Sequence, residues 1–246
     1  MLSGKGSLAS GSISLRVAAS DTGKSGSFTF SSGESQTSGG IAIDGGRSSE
    51  SAGDISVQAG DSVASEGGNV QMPAGSSRQS IGGTLKLEGG SGSISGGDTV
   101  ISSGESSAVG GKVTVSSGPS GQGSSGSLQV STGDAQGSHS GHLSIVGGSQ
   151  ATSAAGDGAS VVLQAGASQL ETGGSVSVVG GTSNQLSSGF VDIGSSKGDS
   201  GSGRVQIWSG ASSDGSSGGV AISSGLSSNG ISGSIHVQGG TAGAGI

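Results

Sequence analysis

A parallel β-solenoid is the fold class this sequence predicts. Three observations predict it: a short apolar-x-apolar triplet recurs about every 15 residues along the whole chain, glycine brackets most triplets, and the residue between the apolar pair differs between odd and even repeats. Self-similarity at a short fixed period is the mark of an architecture in which each unit buries its apolar face only against its neighbours.

The first residues of the triplets are Ile13, Phe28, Ile41, Ile55, Val70, Leu85, Thr99, Val113, Leu128, Leu143, Val161, Val176, Val191, Val205, Val220 and Ile235, numbered here as repeats 1 to 16. A typical repeat reads Gly-x-apolar-x-apolar-x-x-Gly, as in Gly111-Lys112-Val113-Thr114-Val115-Ser116-Ser117-Gly118. Period-2 alternation with β-branched residues, bounded by glycine, predicts one short half-buried strand per repeat, and no segment carries helical spacing. Between triplets lie stretches such as Ala211-Ser212-Ser213-Asp214-Gly215-Ser216-Ser217. That is turn chemistry, in which Gly supplies positive φ and Ser or Asp caps nearby backbone groups.

Parity suggests how the strands stack. The middle residue is polar in every even repeat, from Thr29 and Ser56 to Gln206 and His236, whereas half of the odd repeats carry Ala42, Val100, Val162 or Ala221. A coil of about 30 residues with two strands, odd and even strands forming facing sheets, produces such a difference. The expected core is the triplet residues, Phe28, Phe30, Leu85, Leu87, Val113, Val115, Val176 and Val178 among them. The alternative is one repeat of about 15 residues per coil, and an antiparallel meander is disfavoured because eight-residue connections are long for hairpins. The 18-residue step from Leu143 to Val161 predicts a small loop protrusion over residues 148–157. Residues 1–246 are expected to form a single repeat domain.

Composition narrows function. Sixty-two Ser and 57 Gly make up almost half of the 246 residues, with 2 % aromatic and 10 % charged residues. Composition alone describes a flexible linker, and the phasing of the apolar residues argues against one. Net charge −7 with nine Lys and Arg offers no electrostatic footprint for nucleic acid. No apolar run is long enough to span a membrane, and residues 1–6 lack the apolar stretch of a secretory signal. Cysteine is absent, so disulfides and thiolate metal sites are excluded.

Motifs with chemical associations reduce to loop composition. Asp21-Thr22-Gly23-Lys24-Ser25 ends a relaxed phosphate-loop string, but another triplet follows where the chemistry needs a helix. Gly121-Gln122-Gly123-Ser124-Ser125-Gly126 spells a dinucleotide fingerprint without a βαβ unit around it. Gly215-Ser216-Ser217-Gly218-Gly219 spells a nucleophile elbow, yet His139, His142 and His236 have no context that would assemble a triad. His139, His142 and Asp134 are too few for a strong metal site, and the aspartates do not recur at one repeat position as a calcium-loaded roll requires. No catalytic, cofactor-binding or metal-binding residues are assigned, no enzyme activity is expected, and a small-molecule ligand is not expected.

Gly/Ser-rich triplets of this style resemble the β-repeats of fibrous and adhesive proteins at microbial and algal cell surfaces. The resemblance covers the whole chain, rests on repeat style alone and carries no site residue across. It implies an extracellular or cell-surface structural protein, a stiff rod serving as filament subunit or adhesin stalk segment. The last triplet, Ile235-His236-Val237, is followed by residues 238–246 without a polar cap, so end-to-end self-association is expected. An ice-binding solenoid is the alternative, suggested by Thr29 and Thr114 in the outward rank of even repeats and opposed by Lys86, Gln206 and His236 in the same rank.

Overall fold

The computed structural model describes residue 3 and residues 10–21, 23–137, 139–150 and 156–240. Among them no residue is helical and none lies in a strand or bridge. The all-β solenoid is therefore overturned, both with two strands and with one strand per coil. The expected core is overturned with it, because none of the described residues is buried.

The hydrogen bonds show why. A solenoid rung joins residues one coil apart, which here would be about 15 or 30 residues. The backbone–backbone hydrogen bonds among the described residues join residues seven, eight or, once, eleven apart. Each repeat offers only two regular apolar side chains and is otherwise largely Gly and Ser. Ordering a chain costs about 1–2 kcal/mol per residue and glycine loses most freedom. Two apolar side chains per repeat do not offset that cost over a whole coil, so closure stays local, where the loop to be closed is short.

Counting from position 0 of each triplet, the acceptor is always the carbonyl at position +5, and the donor is always the N–H at position −2 of the next repeat. Gly68 donates to Gly60 at 2.9 Å, Gly83 to Gly75 at 2.7 Å, Gly111 to Gly104 at 2.9 Å and Gly189 to Gly181 at 2.8 Å. In the eight loops that carry this bond, out of the fifteen between triplets, an open segment, positions −2 to +5, is followed by a loop whose ends meet. The 18-residue step follows the same rule, for Ala159 N–H reaches the Gly148 carbonyl at 3.0 Å. Its three extra residues lengthen the loop and leave the closure intact. The protrusion expected there lies partly outside the described residues, since 151–155 are not among them.

One bend marks almost every loop, for example at 35–37, 63–65, 78–80, 121–123 and 213–215. The serine at position +7 makes many of these bends. Ser62 Oγ accepts from Ser65 N–H at 3.0 Å, Ser120 Oγ from Gly123 N–H at 2.9 Å, and Ser227 Oγ from Gly230 N–H at 3.0 Å. Capping by Ser follows the expectation from loop chemistry. The role expected of glycine does not, because no described residue has positive φ.

The chain divides into two parts, Met1–Ser116 and Ser117–Ile246. The first holds repeats 1 to 7 and the triplet of repeat 8, and the second starts in the loop that follows. Both are built by the same closure, through Gly60, Gly75, Gly90 and Gly104 in the first and Gly118, Gly148, Gly166 and Gly181 in the second.

Candidate functional site

The loop neck is the most covered place in either part. Position +4 faces position −2 of the next repeat across it. A Cβ placed on Gly68 would lie 3.2 Å from Ala59 Cβ, and one on Gly111 would lie 3.1 Å from Ser103 Cβ and 3.2 Å from Gly104 N. Position −2 is glycine in fifteen of sixteen repeats and position +4 is Gly, Ala or Ser in fourteen, but the approach is this close only at some necks: a Cβ on Gly39 or Gly53 would meet nothing within 4 Å, and one on Gly218 or Gly233 only ordinary contacts at 3.7 and 3.8 Å. Ala59, Gly147, Ala165, Gly180 and Ser209, all at position +4, are among the few described residues that are partly buried rather than exposed. At position +5, by contrast, a Cβ on Gly60, Gly75, Gly104 or Gly166 would meet nothing within 4 Å.

The triplets have no layer over them, whether or not the adjacent neck is closed. At position 0 the large apolar side chains are 47–62 % exposed, from Ile41 to Phe28, with no difference between odd and even repeats. At position +2 exposure runs from 56 % at Met72 to 91 % at Val237. The parity read from the middle residues therefore does not divide the triplets into two differently buried sets. In one place two neighbouring triplets line common ground: Phe28, Phe30, Ile41, Ala42 and Ile43 form one open, apolar groove. Loop residues such as Ile81, Ile94 and Ile231 stand almost wholly in solvent.

The motifs of the sequence find places in the loops. Gly23 N–H is held by Ser20 Oγ at 3.1 Å, no helix follows Lys24, and Thr22 lies outside the described residues. In the stretch 121–126, Gly123 N–H goes to Ser120 Oγ and Gly126 N–H to the Gly118 carbonyl at 3.1 Å. Amides that a phosphate would need are used to bend and close the loop. His236 Nε2 pairs with Gln238 Oε1 at 2.9 Å, two residues away on its own segment. Among the described residues no three His, Cys, Asp or Glu side chains gather as a metal site would require. Lys86 and Glu88 form an ion pair of 2.8 Å, both side chains mostly in water, where such pairs contribute little.

The feature with unmet chemistry is thus the apolar series at positions 0 and +2, together with the backbone of its open segments. Sequence reasoning identified those residues and assigned them to an interior. It missed positions +4 and +7, whose signal is a column of small residues and a column of serines, eleven of sixteen at +7, in the aligned repeats. No protein-family model matches the chain, and comparison with curated proteins and with solved structures gives no match. Among the described residues no helix is long and apolar enough to cross a membrane.

Proposed function

We propose that this chain is a structural protein, a subunit of an extracellular filament or a stalk segment of an adhesin, that works by associating with copies of itself. The observation that carries this reading is the apolar pair repeated about every 15 residues and left half to wholly in solvent. Exposed apolar surface on this scale marks an interaction site, and its even distribution from Ile13 to Val237 suits an assembly better than a single binding spot. The repeat-style resemblance to cell-surface fibrous proteins supports the same reading and the extracellular location. Catalysis is not proposed. Ice binding is not carried forward, because it rested on the outward rank of a solenoid sheet and no described residue lies in a strand.

Negative-stain electron microscopy of the full chain at rising concentration, with light scattering on the same samples, tests the proposal. Rods or fibres that grow with concentration are expected. Particles of monomer mass at every concentration would overturn it.

A further inference from the structure

Resting on that reading, we infer that the surface through which copies associate is, within each of the two parts, the row of triplet residues at positions 0 and +2, and that its occupant is the same row of a second copy, set in register by the repeat. Three observations argue for this occupant. The chain presents 24667 Å² of surface, whereas a folded monomer of its 22.6 kDa presents about 9,500 Å². The excess, roughly 15,000 Å², is many times the ~800 Å² that a standard interface takes from each partner, so one local contact with an unrelated protein leaves most of it open. A partner that covers the row must carry apolar pairs at the same spacing, and this chain does so fifteen times over, with Thr99 the one polar residue at position 0 and steps of mostly 14 or 15 residues.

The third observation is the backbone. Besides the neck hydrogen bonds, the described residues make no backbone–backbone hydrogen bond, so the segments across positions 0 to +2 present free N–H and C=O groups beside their apolar side chains. A like segment of another copy satisfies both kinds of group together, by pairing main chain with main chain while the side chains pack. Charge opposes it only weakly, since −7 over sixteen repeats is less than half a charge each. Loop residues such as Ile81 and Ile94 follow no common position and cannot keep register.

Two variants of the full chain test the inference against wild type. In one, Val113→Ser, Val115→Ser, Val205→Ser and Ile207→Ser thin the row; in the other, Ile81→Ser, Ile94→Ser, Leu170→Ser and Ile231→Ser remove as many loop apolar residues. Sedimentation velocity gives the concentration at which each associates, and amide hydrogen exchange at low concentration checks that the neck amides Gly83 and Gly174 are unchanged. The row variant should need at least about tenfold more protein to associate, the effect of losing one well-buried aliphatic contact, and the loop variant less than about twofold. Equal effects, or a larger effect of the loop variant, overturn the row as the docking surface while leaving self-association standing. A wild-type chain that never associates overturns both readings.

Discussion

At necks as close as that of Gly68, what stands across the loop limits which residue the repeat can place at position −2. Gly68 and Gly60 are both glycine and both belong to one closure, yet their surroundings differ. A Cβ on Gly68 meets Ala59 Cβ and Gly60 N at 3.2 Å, and one on Gly60 meets nothing within 4 Å. Neither has positive φ, so the difference between them is steric. Gly68→Val is expected to break the closure and Gly60→Ala to leave it unchanged. Amide exchange at residue 68 measures this, and the valine should lower protection roughly two- to tenfold, the worth of one exposed backbone hydrogen bond. Equal protection in both variants would contradict the steric account. The natural exception fits it, for Ala159 occupies position −2 where the loop is longest and still donates at 3.0 Å.

At the scale of the loop, the serine at position +7 shapes the bend from within. Its hydroxyl gives one orphan amide a partner at the cost of little order, as Ser120 does for Gly123 and Ser168 for Glu171 at 3.0 Å. Ser120→Ala should raise exchange at the Gly123 amide by a few-fold and leave the Gly126 amide, which closes the neck, nearly unaffected. If both amides lose protection together, bend and neck form one cooperative unit instead of two. The sequence made the repeat, its boundaries and the polar capping of its loops legible, because spacing and residue type are local facts. It did not make the layer legible: an apolar-x-apolar triplet such as Val113-Thr114-Val115 describes a strand only if another strand lies beside it, and alternation says nothing about what does. Parity misled for the same reason, since Val100 and Val162 are apolar middle residues that stand in solvent. The small residues at position +4 were visible all along, but their meaning depends on Gly68 or Gly111 standing opposite.

For the whole molecule, the sign and sparseness of charge set how copies approach one another. The chain carries −7 at pH 7, and its sequence pI is near 4.7. Copies repel weakly at neutral pH, and the repulsion acts over the screening distance, about 10 Å at 0.1 M salt. Lowering the pH from 7 toward the pI of about 4.7 removes net negative charge, so the concentration needed for association should fall. Raising salt from about 0.01 to 0.15 M should act in the same direction, because screening weakens repulsion and leaves apolar contact intact. Light scattering at fixed protein concentration reads both effects. Were added salt to disperse the assemblies instead, opposite charges would be holding the copies together, and apolar contact between rows would not be the force that joins them.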